Sequence, residues 1–466
     1  MYGLTYSHII SIVLTLTFVS LVGIYAGRQV SGAADFTVSG RKAGVILIIG
    51  TITGTLVGGA STVGTAELAF RYGMSAWWFT LGAGAGCFLL ALLLAKPLRE
   101  SKLETIPQFL VMNYGPAAGP IASIFSSTGI FLNIIAQILA AIALISPIFQ
   151  LSSINAALIA IVLVICYVYF GGVMSTGIVG IVKLVILYSS LIVTGLLAYT
   201  KVGGAAGIIN SFPPFPWLSF FGRGFSTDIA AGFSLIVGVM STQTYLQAMF
   251  SGKDVKTSKL GAICSGVLVL PSGLAGLLVG MYMKLNYPDM IASEALPVFV
   301  INFLPPWLGG IVLAVLLVAV IGTAAGLTLG ISTMFTRDIY QKYINTQADD
   351  RRMLMISRVV LIAVIGLTIL FVTGNLKSMI LQWSFLSMGL RGACIFLPLL
   401  GAVFFKNLVS PIGGILALAV GPMADLAWKL AVPGGIDPLY AGLLASFIVL
   451  LICSVMFPAS RYPKTN

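Results

Sequence analysis

The chain has 466 residues, of which 59% are hydrophobic and 8% are charged, and its mean hydropathy is +1.07. This composition excludes a water-soluble domain, because too few charged side chains are present to cover the apolar surface. The formal net charge is +12, but the basic residues lie in short loops between apolar runs. This argues for a chain in a lipid bilayer and against a nucleic-acid partner.

Apolar runs long enough to cross a bilayer follow one another along the chain. A hydrocarbon core about 30 Å thick needs about 20 apolar residues per helix, and hydropathy predicts about 13 spans. The first run, Ser7 to Ala26, has no basic flank and no small-residue cleavage site, so we expect a retained helix and not a signal peptide. The predicted spans are 7–26, 43–71, 75–95, 120–148, 154–170, 175–199, 228–250, 258–283, 308–335, 354–372, 379–404, 411–430 and 440–456.

Basic residues collect on one side of the predicted membrane. If each run spans once, that side holds Arg28, Arg41, Lys42, Lys96, Arg99, Lys102, Lys253, Lys256, Lys259, Arg337, Lys342, Arg351, Arg352, Lys406, Arg461 and Lys464. The positive-inside rule makes this side cytoplasmic. We therefore expect a multi-pass protein of the cell membrane with its N terminus outside and its C terminus inside.

Small residues cluster in the second predicted span, near the bilayer midplane. They are Gly50, Gly54, Gly58-Gly59-Ala60-Ser61-Thr62 and Gly64. The cluster predicts an interrupted helix whose freed carbonyls line a cavity or bind an ion, although close helix packing is an alternative. A weaker counterpart in the seventh span comprises Gly232, Gly238 and Ser241-Thr242-Gln243. Two interrupted helices, each opening a five-helix block, indicate an inverted repeat.

Four short motifs occur in an order that is typical of one family of carriers. They are residues 34–41, Ala-Asp-Phe-Thr-Val-Ser-Gly-Arg; residues 105–110, Thr-Ile-Pro-Gln-Phe-Leu, followed by Asn113-Tyr114-Gly115; the pair Gln243 and Gln247; and residues 335–340, Phe-Thr-Arg-Asp-Ile-Tyr. Together they resemble the sodium:solute symporter family, which includes sodium-coupled sugar, proline, pantothenate and sialic acid carriers. The resemblance covers most of the chain.

The resemblance implies an all-α polytopic membrane protein that transports solutes by alternating access. Its expected core is the leucine-transporter type of 5+5 inverted repeat, with one extra N-terminal helix and two extra C-terminal helices. The expected parts are 1–42 (extra helix and cytoplasmic loop), 43–200 (first repeat), 201–225 (extracellular loop), 226–405 (second repeat) and 406–466 (two helices and a tail).

The resemblance also implies a position for a cation. In that family sodium binds between the broken first core helix and the eighth, through backbone carbonyls and a hydroxyl pair, and oxygen ligands suit such a hard cation. Here the carbonyls fall at Gly54, Val57 and Ala319. The hydroxyl pair falls at Gly322 and Thr323, so one side-chain ligand is missing.

The fifth core helix departs further from the family pattern. Where the family has Thr-Asp-x-x-Gln, residues 179–183 read Val-Gly-Ile-Val-Lys, so Gly180 replaces the acid and Lys183 the glutamine. A charge at a helix centre costs about 2.5 to 3.5 kcal/mol on insertion scales. The presence of Lys183 therefore indicates a specific role for its charge. We expect its ammonium to occupy or adjoin the sodium position and to act as a proton carrier, with transport proton-coupled or sodium-independent. The alternative is conventional sodium coupling through Thr323 and the backbone carbonyls.

Arg391 is a second base near the centre of a predicted span. Ser384, Ser387 and Arg391 share one helix face. The planar guanidinium suits a carboxylate, so we predict an anionic substrate, with a small organic acid as the first choice. An internal ion pair and a role in helix packing are the alternatives.

The substrate cavity is expected at the midplane, beside the interrupted helices. The candidate lining residues, besides Ser384 and Arg391, are Ser61, Thr62, Phe79, Thr80, Asn133, Gln137, Thr242 and Gln243. Ser and Thr often bond the carbonyls of their own helix. Asn133 and Gln137 are the stronger candidates, because their amides need partners in lipid.

Other functional classes find no support in the sequence. The intramembrane enzyme motifs His-Glu-x-x-His and Gly-x-Ser-x-Gly are absent, and neither a selectivity filter nor a signalling domain is recognisable. The five cysteines lie inside apolar runs without metal-ligand spacing. We therefore expect no cofactor, with Na⁺ bound only if Gly54, Val57, Ala319 and Thr323 retain it. The expected partners are a small solute and the lipid bilayer, with no obligate protein partner.

Overall fold

The computed structural model describes residues 3–27, 41–169, 173–432 and 436–458. The regular elements of those residues are helices, as expected where backbone polar groups have no water to bond. In the first half they are α1 (Tyr6–Gly27), α2 (Val45–Leu56), a π-helical turn (Ala60–Gly64), α3 (Thr65–Tyr72), a 3₁₀ turn (Gly73–Trp77), α4 (Trp78–Leu89), a π-helical turn (Leu90–Leu94), α5 (Ala95–Ser101), α6 (Ile106–Tyr114), α7 (Ala118–Phe149), α8 (Ser153–Tyr169) and α9 (Val173–Val202).

The second half continues the helical pattern. Its elements are α10 (Gly204–Ser211), α11 (Phe225–Val239), α12 (Gln243–Ser251), α13 (Val255–Ser272), α14 (Leu274–Asn286), a 3₁₀ turn (Ala292–Glu294), α15 (Ala295–Phe303), α16 (Pro306–Met334), a π-helical segment (Phe335–Ile344), α17 (Asp350–Gly374), α18 (Ile380–Phe404), α19 (Pro411–Ala431) and α20 (Pro438–Met456). Near the chain ends, α1 packs on α16 and α9, whereas α19 and α20 pack on each other and on α18.

The number of spans differs from the prediction. Among the described residues, nine helical stretches are long and apolar enough to cross a bilayer, and α11 with α12 makes a tenth as a bent pair. Val45–Leu56 and Ser153–Tyr167 fall below the required length. The all-helical polytopic architecture is thus confirmed, whereas thirteen spans stay a prediction.

The first predicted interruption separates α2 from the π-helical turn Ala60–Gly64. Val57 has an extended backbone, with φ −89° and ψ 90°. Gly58 and Gly59 let this segment approach its neighbours closely: a Cβ at Gly58 would lie 2.2 Å from Thr323 Oγ1, and one at Gly59 would lie 2.3 Å from Ala140 Cβ. Packing against α16 and α7 therefore requires glycine at both positions. We call residues 57–59 the first break.

The second predicted interruption separates α11 from α12. Thr242 is extended, with φ −91° and ψ 122°, and the two half-helices are bent by 40°. A Cβ at Gly238 would lie 2.6 Å from Met388 Cβ, so α11 also approaches α18 through a glycine. We call residues 240–242 the second break.

A backbone seam joins the start of α2 to the end of α12. Ala43 N donates to Ser251 O at 3.1 Å, and Lys253 N donates to Ala43 O at 3.0 Å. The Arg99 guanidinium donates to Gly252 O, and also to Lys253 O at 3.1 Å. The two half-helices that precede the first break and follow the second are thus tied together at the face that carries many of the basic loops.

The loop between α9 and α11 contains a short helix and turns. α10 occupies Gly204–Ser211, and turns follow up to residue 224. Proline begins only at Pro213, so the preceding eight residues are free to form a helix.

Candidate functional site

Lys183 of α9 lies at the first break. Its side chain is 1% exposed. Nζ donates to Gly54 O, with Val57 O at 3.3 Å and Ala319 O at 3.4 Å. An ammonium has three N–H donors and no acceptor, so three carbonyls satisfy it fully. These are the same three carbonyls that the family resemblance assigned to sodium.

Gly180 takes part in this arrangement through packing. A Cβ at Gly180 would lie 2.4 Å from Gly50 O, and one at Gly54 would lie 3.1 Å from Gly180 Cα. The aspartate of the family pattern would not fit at this crossing of α9 and α2. The missing side chain lets α9 approach α2 closely, and Lys183 follows one turn later on the same face.

Two positions on α16 complete the surroundings of Lys183. Thr323 Oγ1 is buried and has no hydrogen-bond partner among the described residues. A Cβ at Gly322 would meet Tyr167 Oη at 3.5 Å and Lys183 Nζ at 3.8 Å, which is ordinary contact. One hydroxyl of the family's pair is therefore present and unused, and there is room for a second.

Arg391 of α18 is fully buried at the second break. Its Nη1 donates to Thr242 Oγ1 at 2.7 Å, its Nη2 to Ser387 Oγ at 2.8 Å, and its Nε to Ser387 O at 3.0 Å. All of these oxygens are uncharged. The guanidinium is thus held in position by hydrogen bonds that leave its charge uncompensated.

Two membrane acids of the described residues are engaged elsewhere. Asp228 pairs with Arg223 at 2.6 Å. Glu67 accepts from Ile380 N at 3.0 Å, at the start of α18. Among the described residues Arg391 forms no ion pair with either acid or with Asp425. The alternative of an internal ion pair at Arg391 therefore finds no partner here.

Asn133 and Gln137 connect the first break to α18. Gln137 Oε1 accepts from Gly59 N at 2.9 Å, and Gln137 Nε2 donates to Asn133 Oδ1 at 3.2 Å. Ser384 Oγ donates to the same Oδ1 at 3.1 Å. This network supplies the amide partners that the sequence required. It also satisfies an N–H that the interruption of the helix had freed.

Four other candidates make mainly local contacts. Ser61 Oγ and Thr62 Oγ1 donate to Gly58 O at 3.0 and 2.8 Å, and Thr80 Oγ1 donates to Trp77 O at 3.4 Å. These bonds agree with the expectation that Ser and Thr hydroxyls often bond nearby backbone carbonyls of their own segment. Phe79 instead packs edge-on against Phe385, with ring centroids 5.8 Å apart.

The Gln243 amide is bonded at both ends to the loop before α6. Its Oε1 accepts from Ile106 N at 2.9 Å, and its Nε2 donates to Glu104 O at 3.1 Å. The side chain thus caps the start of a helix and has little capacity left for a solute. This contact supports a structural role for Gln243.

A cavity of about 570 Å³ borders α18. Tyr72, Arg223, Trp383, Phe385, Gly389 and Asp425 are among its lining residues. Gly389 precedes Arg391 by two residues on α18, and residues two apart do not share a helix face. The cavity therefore lies on a different side of α18 from the buried guanidinium.

Sequence reasoning missed three features of this region. A Cβ at Gly129 would lie 2.5 Å from Arg391 Cγ, and Gly129 precedes Asn133 and Gln137 by one and two turns on α7. That spacing was a usable signal. Glu67 caps α18 through Ile380, and the buried Asp338 accepts from Thr105 Oγ1 at 2.9 Å. Both carboxylates were visible in the sequence, but their partners lie far away along the chain.

Comparisons with known sequences place this geometry in context. The model of the sodium:solute symporter family matches residues 36–421. The high-affinity choline transporter 1 of Drosophila melanogaster is 24% identical over 91% of this chain and 71% of its own length. The osmoregulated proline transporter OpuE of Bacillus subtilis is 23% identical over 96% of this chain and 94% of its own length.

Solved structures share the fold. A Na⁺-coupled sialic acid symporter, in its substrate-bound outward-open state, superposes with a TM-score of 0.80 and 17% identity over 97% of this chain and 98% of that one. The nucleobase-cation-symport-1 family transporter Mhp1 superposes with a TM-score of 0.63 and 12% identity over 92% and 96%. At these identities the likeness establishes the architecture and leaves the ligands open.

Proposed function

Because this chain belongs to the sodium:solute symporter family of membrane transporters, we propose that it carries a small carboxylate anion and that the Lys183 ammonium replaces sodium at the first break. Transport is then sodium-independent and either coupled to protons or uncoupled. The observation that carries the proposal is the set of three carbonyls, Gly54, Val57 and Ala319, around Lys183 Nζ.

A charged Lys183 and a sodium ion compete for the same oxygens. Two unit charges about 4 Å apart repel by about 4 kcal/mol at an effective dielectric constant of 20. This corresponds to about a thousandfold loss of sodium affinity. Sodium therefore does not fit the site while the ammonium is seated there, unless the amine loses its proton or moves away.

The proposed substrate class follows from Arg391. A buried guanidinium without an acidic partner is stabilised by an incoming carboxylate, which accepts two parallel hydrogen bonds. Of the named relatives, one is a proline transporter and another a choline transporter. Proline has a carboxylate and choline does not, so the Arg391 site favours the first kind of solute.

Uptake into proteoliposomes tests the proposal. The probes are radiolabelled acetate, lactate, succinate and proline, with choline as the cationic comparison. We expect at least one carboxylate to enter at the same rate in NaCl and in KCl, and an inward sodium gradient to give no acceleration. Lys183→Gln is expected to slow this uptake at least about tenfold, because the three carbonyls lose their donor.

A matched pair of variants sharpens the test. Gly322→Ser alone, for which there is room beside Tyr167, is expected to leave uptake sodium-independent. Lys183→Gln combined with Gly322→Ser restores the hydroxyl pair with Thr323 and removes the competing charge, and we expect uptake to become sodium-dependent. Sodium-driven uptake by the unaltered chain that Lys183→Gln leaves unchanged contradicts the proposal.

Conventional sodium coupling is the second candidate, and the unpartnered Thr323 hydroxyl favours it. A buried hydroxyl without a partner costs free energy, which a bound cation would offset. In this case Thr323→Val reduces uptake in NaCl and leaves uptake in KCl unchanged. Under the first proposal the same variant affects both conditions equally.

We also propose that the basic loops face the cytoplasm and that the N terminus lies outside. The argument is the positive-inside rule. Single cysteines placed at Lys253 and Lys377 in a cysteine-free background, and labelled with an impermeant maleimide on intact cells, test this orientation. Only the second is expected to react, and labelling of the first alone reverses the assignment.

A further inference from the structure

The outer surface of α17 (Asp350–Gly374) combines an apolar stripe with a basic end. Met355, Val359 and Ile362 are exposed by 54%, 56% and 42%. In a membrane protein such side chains face lipid acyl chains. This surface belongs to neither break and lies outside the sites of the proposed function.

Three arginines lie at the same end of this surface. Arg351 and Arg352 are exposed in the first turn of α17, and Arg358 is half-buried farther along. A rise of 1.5 Å per residue puts Arg358 about 10 Å deeper than Arg351 along the helix. An arginine at that depth can reach the headgroup region by snorkelling, or can bind a phosphate that lies just above it.

The arginines and the apolar stripe line one groove. Its volume is about 970 Å³, and its lining includes Arg351, Arg352, Met355, Arg358, Val359 and Ile362. Arg351, Met355, Arg358 and Ile362 follow one another at intervals of four, three and four residues, so they share one helix face. A single extended molecule can therefore contact charge at one end of the groove and apolar side chains at the other.

The charges favour an anionic occupant. The nearest carboxylates in sequence are Asp349 and Asp350, and the Asp349 side chain accepts from Arg352 N at 3.0 Å as the cap of α17. This segment thus carries three guanidiniums and two carboxylates, one of which is bonded to the backbone. The combination of excess positive charge with an apolar stripe matches an anionic phospholipid better than a zwitterionic one.

We propose that this groove is a binding site for an anionic phospholipid. The phosphate lies between the guanidiniums of Arg351, Arg352 and Arg358, which suit phosphate oxygens through paired N–H donors. One acyl chain runs along Met355, Val359 and Ile362. The lipid belongs to the leaflet in contact with the basic loops.

Native mass spectrometry of the full chain in detergent tests the site. The probes are phosphatidylglycerol and phosphatidylcholine with identical acyl chains. We expect phosphatidylglycerol to bind at least about fivefold more tightly, and Arg351→Gln/Arg352→Gln/Arg358→Gln to remove most of this preference. The matched control, Lys253→Gln/Lys256→Gln/Lys259→Gln, alters three exposed lysines at the start of α13 and is expected to retain it.

Three results would overturn the assignment. Equal binding of both lipids would show that the headgroup charge plays no role. Equal losses of phosphatidylglycerol preference in both triple variants would show that the preference comes from the overall positive charge of this face and not from the three arginines. Displacement of phosphatidylglycerol by millimolar inorganic phosphate would assign the arginines to a soluble anion. If the triple arginine variant does not fold, Arg351→Gln alone decides the question, with an expected loss of at least about twofold in phosphatidylglycerol affinity and no change for phosphatidylcholine.

Discussion

The two breaks each meet one buried cation, but they satisfy it in different ways. At the first break Lys183 donates to three backbone carbonyls, so the freed acceptors of the broken helix and the ammonium complete each other. At the second break Arg391 bonds hydroxyl groups and a carbonyl. Its charge has no anion among the described residues. The ammonium at the first break is therefore satisfied without a ligand, although the neighbouring Thr323 hydroxyl has no partner, whereas the guanidinium at the second break has no counter-anion.

This difference separates two kinds of sensitivity. The first break depends on close packing, since side chains at Gly58 and Gly59 would overlap with α16 and α7. The second depends on a charge whose removal relieves a desolvation cost. Changes in glycine packing at the first break are expected to affect stability and, where they displace Lys183, uptake, whereas changes to Arg391 are expected to affect substrate binding.

The largest expected effect is that of Arg391→Gln. Loss of one partner from a buried charge pair costs about 2 to 5 kcal/mol, so we expect carboxylate uptake to fall at least about thirtyfold. Thermal stability should be unchanged or higher, because a buried charge is removed. Initial uptake rates and a melting curve of the same preparation measure both quantities. Full uptake by the variant would show that the guanidinium does not bind the solute.

Gly59→Ala probes the packing of the first break. Its new Cβ would lie 2.3 Å from Ala140 Cβ, and overpacking of this kind costs about 1 to 3 kcal/mol. We expect a lower melting temperature, with partial recovery when Ala140→Gly is added. Gly366→Ala on α17, where no atom lies within 4 Å, is the control. Equal melting temperatures for Gly59→Ala and the control would contradict the packing argument.

Gly180→Ala tests whether the approach of α9 positions Lys183. The added Cβ would lie 2.4 Å from Gly50 O and would push α9 away from α2. At the lower end of the usual overpacking cost, about 1 kcal/mol, we expect about a fivefold loss of uptake. The loss should vanish in a Lys183→Gln background, because coupled residues are non-additive. Additive losses would mean that Gly180 acts independently of the lysine.

Ser384→Ala is the mildest change. It removes one hydrogen bond to Asn133 Oδ1, which still accepts from Gln137. A net cost of about 0.5 to 1.5 kcal/mol predicts a twofold to tenfold rise in KM for the transported carboxylate. Ser189→Ala, which alters an exposed serine bonded to its own helix, should leave KM unchanged. A loss as large as that of Arg391→Gln would place Ser384 in direct contact with the solute.

The sequence predicted best what depends on the backbone. Glycine clusters marked both breaks because few other residues allow such close approach, and the resemblance brought Gly54, Val57 and Ala319 together because carbonyl positions survive substitution. Lys183 was conspicuous because a charge at a helix centre is costly. Each of these arguments uses a single position and a general energetic cost.

The sequence predicted less well what depends on the choice of a partner. Gln243 was assigned to the substrate, but its amide bonds the backbone at Glu104 and Ile106, which are remote in sequence. Ser61 and Thr62 are polar residues at the midplane whether they bind solute or backbone. Only the structure shows that both donate to Gly58 O. From the sequence, Gly180 indicated only that an acidic residue is missing. Its close contact with Gly50 depends on how α9 crosses α2, which only the structure shows.

The seam between Ala43 and the Ser251–Lys253 segment has a mechanical consequence. It consists of main-chain hydrogen bonds, so replacement of the surrounding side chains leaves its bonding pattern in place. One half-helix can swing independently of the other only if both bonds break, at a net cost of about 1 to 3 kcal/mol. We therefore expect α2 and α12, which lead to the breaks beside Lys183 and Arg391, to move together and not separately.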